Sequence, residues 1–276
     1  MTTTTNDGVT LYYETGDESG TAGRKTDESD SSGADETIAF VGDAGFGAWQ
    51  WAWQSADVAG PRETLVWDLR GTGRSDTPDG PYDVETMATD LEAVLADSGT
   101  RRVHLVGAGL GGMIALRYAR RYGRAKTLTL FGTPASGAAV EEPALRALNS
   151  PSEDEQALRR SLKRAFSEEF HTAQRETIEQ ICEWRKGEDA TEAGFEAQVA
   201  AICEFESGPL YELTLPTLVC HGLDDPVVPV EAGQKLADDL PRGTFEAVEG
   251  RRLCYIEHSR AVNDRVLDFL DEQYEQ

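Results

Sequence analysis

Lysine is scarce in this sequence, with only Lys25, Lys126, Lys163, Lys186 and Lys235 among 276 residues, and basic residues as a whole number 26 against 50 acidic ones. The net charge of −24 sets aside nucleic acid and anionic membranes as partners, because such a surface repels both. Cysteine is also sparse. Cys182, Cys203, Cys220 and Cys254 stand far apart, with no Cys-x-x-Cys or Cys/His ligand spacing, so neither a zinc site nor a disulfide framework is signalled and four reduced thiols are expected. No apolar run reaches the roughly 18 residues of a membrane span, and the opening MTTTTNDGVT has no basic stretch followed by an apolar one, so a cytoplasmic protein is expected.

Excess carboxylate with little lysine resembles the cytosolic proteins of salt-in halophiles, where dissolved salt screens the self-repulsion of the chain. Residues 9–14 (VTLYYE) and 37–41 (TIAFV) read as strands. Residues 15–36 between them are rich in Gly, Ser and Asp, and are read as a mobile acidic linker with no site. Further apolar runs at 64–68, 103–106, 127–131, 217–220 and 244–248 alternate with helical patterns at 84–96, 111–121, 231–240 and 261–270, which predicts a doubly wound, mostly parallel α/β sheet. Residues 138–213 break the rhythm. They are helical, charged and strandless, and are expected to lie as a lid over the strand ends, where open α/β sheets bind ligands. The core is then 1–137 with 214–276.

The stretch VHLVGAGLGG, residues 103–112, has two readings. Gly107, Gly109 and Gly112 fit a dinucleotide-binding GxGxxG, and the same place in the chain fits GxSxG, with Gly109 where the serine would stand. A phosphate loop belongs on the first βαβ unit, with an acidic residue about 20 positions on to take the ribose. Several strands precede this motif, and no carboxylate occurs at 129–131. The segments WDLRGTGRSDTPDGPYDVETMATDLEAVL, VHLVGAGLGGMIALRYA, LPTLVCHGLDDPVVP and YIEH, in that order, resemble α/β-hydrolases of the enol-lactonase, haloperoxidase and epoxide-hydrolase type. The resemblance implies an α/β-hydrolase sheet with a helical lid.

It also implies a serine nucleophile on a strained turn, a histidine base and an orienting carboxylate. Gly109 supplies no side chain for the first role. Counting five residues back from Glu257 puts Arg252 at the histidine position, while counting from Gly250 puts Leu253 there, and neither is a general base at neutral pH. In HGLDDP the acid position is Asp225, with Asp224 as the alternative. Asp225, lacking an imidazole, is expected to hold Arg252 in a bidentate charge-assisted pair. The oxyanion-hole amides implied by the resemblance are those of Ala44 and Leu110, with Asp43 where the family carries glycine, and a carboxylate there opposes a developing anion. Glycine relieves backbone strain at the elbow, and an elbow glycine also resembles the N-myc downstream-regulated proteins, which keep the fold without its triad.

Other residues of the chain also carry reactive or titratable groups. His258 reads as a helix-start residue, and His104 and His221 as packed imidazoles on or beside strands. His171, in the lid, is a candidate ligand contact. Cys254 lies beside Arg251 and Arg252, whose charge would lower its pKa. Trp49, Trp51 and Trp53 read as core rather than pocket mouth, and Asp68 and Ser75 as turn formers. The expectation is a catalytically silent α/β-hydrolase homologue without a cofactor or metal, binding a small molecule, first of all a carboxyl-bearing one, or a protein. The alternatives are an active lactonase, esterase or cofactor-free oxygenase with a lid base such as His171, and a flavin or nicotinamide protein built on GxGxxG. The oligomeric state is left open.

Overall fold

The computed structural model describes residues 2–16, 36–58, 62–150 and 154–274. The linker expected at 15–36 lies almost wholly outside the described residues. Eight strands form one sheet in the order β1-β2-β4-β3-β5-β6-β7-β8. They are β1 (Thr2–Asn6), β2 (Val9–Thr15), β3 (Glu36–Val41), β4 (Glu63–Trp67), β5 (Arg102–Ala108), β6 (Ala125–Phe131), β7 (Thr217–Gly222) and β8 (Gly243–Val248). The first two run antiparallel to their neighbours, and every pair from β4 to β8 is parallel.

The parallel centre follows from burial on both faces. All the residues of β3 and β7 are buried, as are all but one residue each in β5 and β6, which is why these strands read as continuous apolar runs. The edge strand β1 carries TTTTN, with no apolar alternation to announce it. It is held by its register with β2, Thr4 opposite Leu11, and by a two-residue turn in which Asp7 and Gly8 both have positive φ, 48° and 80°.

Helix α1 (Ala52–Val58) precedes β4, and α2 (Val84–Asp97) follows it. Asp83 caps α2 by accepting from Thr86 N, and Val84, Met87, Leu91, Val94 and Leu95 form its buried stripe. Helix α3 (Leu110–Arg121) links β5 to β6. Between β6 and β7 come α4 (Glu142–Arg146), α5 (Glu155–Ala165), α6 (Glu168–Ala173), α7 (Arg175–Glu188) and α8 (Glu192–Cys203), with no strand among the described residues. Helices α9 (Val230–Asp239), α10 (Cys254–Glu257) and α11 (Ser259–Tyr274) complete the chain.

Candidate active site

Five chain segments meet at the carboxyl ends of the parallel strands. The turn from β5 into α3 is one residue long. Gly109 holds it at φ 48° and ψ −109°, angles at which a side chain is strained. Gly109 N donates to Phe131 O at 2.9 Å, and Leu110 N points at the loop after β3. The glycines that follow serve close packing. A Cβ on Gly111 would lie 2.0 Å from Val41 O, so α3 sits directly on the end of β3.

Asp43, in the loop after β3, fills the space in front of that turn. Its Oδ1 accepts from Ala44 N at 2.8 Å and from Leu110 N at 3.1 Å, and its Oδ2 accepts from Arg252 Nε at 2.8 Å. Arg252 Nη1 donates to Gly132 O at 2.7 Å and to Asp225 Oδ2 at 2.9 Å. Asp225 Oδ1 in turn accepts from Val227 N at 2.8 Å and Val228 N at 3.3 Å. Asp43, Arg252 and Asp225 are 1%, 5% and 9% exposed, so the cluster is sealed from bulk water. Burial alone lowers the Arg252 pKa, and the two carboxylates outweigh it, leaving the guanidinium charged throughout the accessible range.

The charge-assisted Arg252–Asp225 pair expected from sequence forms at 2.9 Å, but through one nitrogen rather than bidentately. The guanidinium is shared, Nε going to one carboxylate and Nη1 to the other, because Asp43 reaches it from the opposite side of the turn. Asp224, the alternative acid, is exposed, and Leu253 is fully buried with its amide bound to Ala165 O. A Cβ on Gly109 would lie 2.0 Å from Asp43 Oδ1 and 2.1 Å from Arg252 Nη2, so these two side chains occupy the place where a nucleophile would begin.

The other candidates lie apart. No hydrogen bond or ion pair joins His171 to Asp43, Arg252 or Asp225 among the described residues, and burial lowers its pKa. His221 approaches Asp225 to 3.7 Å, but its Nε2 bonds Val228 O at 2.8 Å and the ring is fully buried. His258 lies between α10 and α11. The lowered Cys254 pKa expected from its arginine neighbours is overturned: the thiol is 2% exposed, and desolvation drives its pKa well up despite Arg252.

Sequence reasoning missed two supports. Gln50 Oε1 accepts from Asp43 N at 3.0 Å and from Tyr255 Oη at 3.2 Å, which orients the Asp43 backbone. Its only signal was a lone amide between two tryptophans. Beneath it Trp51 stacks on Tyr255 at 5.2 Å, and both touch Phe131, so aromatic mass backs the ion cluster. Trp49 is buried with Trp51, while Trp53 packs half-buried on Trp184. The inserted helices latch onto the same loop. Gly45 N donates to Gln198 Oε1 at 2.8 Å, Trp49 N to Glu188 Oε2 at 2.9 Å, and Trp49 Nε1 to Asp189 Oδ1 at 2.8 Å.

Residues 38–265 match a family model described as the alpha/beta hydrolase family. The chain belongs to that family. Among its relatives, this hydrolase-family chain is 24% identical over 241 residues to 3-oxoadipate enol-lactonase 2 of Acinetobacter baylyi, covering 83% of this chain and 86% of that protein. It is 29% identical over 223 residues to a non-heme chloroperoxidase of Kitasatospora aureofaciens, covering 74% and 78%. The fold is shared with the enol-lactonase of Burkholderia xenovorans LB400 at a TM-score of 0.80 and 22% identity, covering 96% and 98% of the two chains. Within this family the turn after β5 is the elbow, and the amides of Ala44 and Leu110 stand where the resemblance places the oxyanion hole.

Proposed function

We propose that this member of the alpha/beta hydrolase family is catalytically silent, and that it keeps the fold for binding rather than for acyl transfer. The observation that carries this reading is the position of Asp43 Oδ1 on the amides of both Ala44 and Leu110. Acyl transfer needs those donors free for an oxyanion, a nucleophile beside them and a base within reach. Here the donors already hold a carboxylate, Gly109 brings no nucleophile, and the base position holds an arginine committed to two acids.

A carboxyl-bearing ligand at this point would have to displace Asp43 from the same donors. The helix-start amides that a dinucleotide phosphate would need are likewise engaged, Gly109 N by Phe131 O and Leu110 N by Asp43. The acidic, lysine-poor composition supports work in a salt-rich cytoplasm.

The test is turnover of p-nitrophenyl acetate and butyrate in molar KCl. The wild-type protein is expected to release p-nitrophenol no faster than the heat-denatured protein. Turnover above that control that disappears in Asp225→Asn would overturn the reading.

A further inference from the structure

The loop between β3 and α1 is held from two sides. Near its start Asp43 reaches toward the sheet, its Oδ1 accepting from Leu110 N and its Oδ2 from Arg252 Nε. The residues that follow are held by the helical insertion instead. Gly45 N donates to Gln198 Oε1 of α8 at 2.8 Å, and Gly45 O accepts from Ala190 N at 3.0 Å. Gly47 N donates to Asp189 Oδ1 at 3.2 Å, and Trp49 N to Glu188 Oε2 at 2.9 Å. Among the described residues, every hydrogen bond that leaves 44–49 for a distant part of the chain ends on the insertion.

Packing makes this second attachment close. A Cβ on Gly47 would lie 2.4 Å from Glu188 Cβ, and one on Gly45 would lie 2.9 Å from the Phe195 ring, so the loop rests directly on the end of α7 and on α8. Within the insertion Arg185 is the tie. It is 1% exposed, and its Nε donates to Asp189 Oδ2 at 2.5 Å, its Nη1 to Ser161 Oγ of α5 at 2.7 Å and its Nη2 to Leu148 O at 3.0 Å. The same guanidinium lies 5.1 Å from the centre of the Phe46 ring. A buried charge with this many partners is costly to separate from any of them, so α5, α7 and the loop form one packed body.

We propose that the inserted helices gate the elbow through this loop. When they part from the sheet, the loop travels with them and draws Asp43 off Leu110 N and Arg252. Asp225 is then the one acid left on the guanidinium, and a carboxylate from a ligand can take the second place, bonded to Arg252 Nε and Leu110 N. In the closed state Asp43 is the ligand. The gate rests on the reading of this protein as a binding member of its family, and it supplies what controls access.

The experiment is residue-resolved amide hydrogen exchange of the full chain by NMR in molar KCl. The Leu110 amide, bonded to Asp43, reports the gate, and the Gly109 amide, bonded to Phe131 O at 2.9 Å, reports the sheet beside it. Glu188→Ala and Gln198→Ala each remove one bond from the insertion to the loop. Glu188 is only partly buried, so its truncation leaves the fold intact. In both variants Leu110 should exchange about tenfold faster or more, together with Ala190, while Gly109 keeps its wild-type rate. Faster exchange at Ala190 with Leu110 unchanged overturns the gate, because Asp43 is then held by the sheet alone. Acceleration of Gly109 by the same factor as Leu110 overturns it too, because the elbow then opens with the sheet. Sodium formate should slow Leu110 exchange in both variants relative to sodium chloride at the same concentration, and equal rates overturn the carboxylate as the ligand. Amide exchange does not read turnover, so ester hydrolysis by the wild-type protein would remove the silent reading and leave the coupling standing.

Discussion

Asp43 stands to Leu110 as a bound anion stands to its receptor: its Oδ1 lies 3.1 Å from the first amide of α3, on the donor that a hydrolase of this fold offers to its oxyanion. The same oxygen takes the Ala44 amide, and its partner oxygen takes Arg252. The turn therefore carries its own ligand.

On the proposed reading, placing a serine at position 109 or a histidine at position 252 singly restores no turnover. Gly109→Ser places a Cβ against Asp43 and Arg252 at positive φ, and should cost about 2–5 kcal/mol from backbone strain and overpacking. Gly109→Ser with Arg252→His should remain inactive on p-nitrophenyl acetate, because Asp43 still occupies the amides. Adding Asp43→Gly should raise turnover about 100-fold above the wild-type background, the scale of a positioned general base. Activity in the double variant would show that Asp43 does not block the hole.

Removal of Asp43 leaves Arg252 buried beside Asp225 alone. Asp43→Ala should lose about 3–5 kcal/mol in urea denaturation, the usual cost of breaking a buried ion pair from one side. The void keeps two amides and a guanidinium arranged for a carboxylate. Formate should therefore return part of the lost stability, while chloride at equal ionic strength should not. Equal effects of the two salts would refute a preserved anion receptor.

Two buried imidazoles make stability fall with acid. Burial lowers the pKa of His104 and of His221 in the folded chain. Unfolded, both take protons below about pH 6.5, so protonation favours unfolding. Their contribution is whole above that pH and is lost as pH falls, at up to about 1.4 kcal/mol per pH unit for each. Urea midpoints measured from pH 7 down to pH 5 should drop less steeply in His221→Asn and His104→Gln than in the wild type, and parallel slopes would contradict this.

The net charge of −24 should make the fold depend on salt. Repulsion among exposed carboxylates is long-ranged in dilute buffer, and screening shortens its reach to about 3 Å at 1 M. The melting temperature should rise continuously from dilute to molar KCl. A flat profile would remove the halophilic reading.

The architecture was legible in the sequence because it rests on local patterns. Apolar runs buried on both faces, helical stripes between them and the order of the GAGLGG, HGLDDP and YIEH segments all report periodicity and turn chemistry, which a linear reading detects. The strand β1 escaped because four threonines carry no apolar alternation, and their pairing with β2 exists only across the sheet. At the candidate site, that Gly109 and Arg252 stand where the resemblance implies a serine and a histidine could be read directly, since each is a matter of which residue stands at one position. What surrounds those positions could not. Asp43 and Arg252 are separated by 209 residues, and Arg252 and Asp225 by 27. A sequence supplies charges without directions. Only the folded chain, by bringing the ends of β3, β5, β6 and β7 together and excluding water from between them, decided that one guanidinium would bridge two carboxylates and that one of those would close the turn.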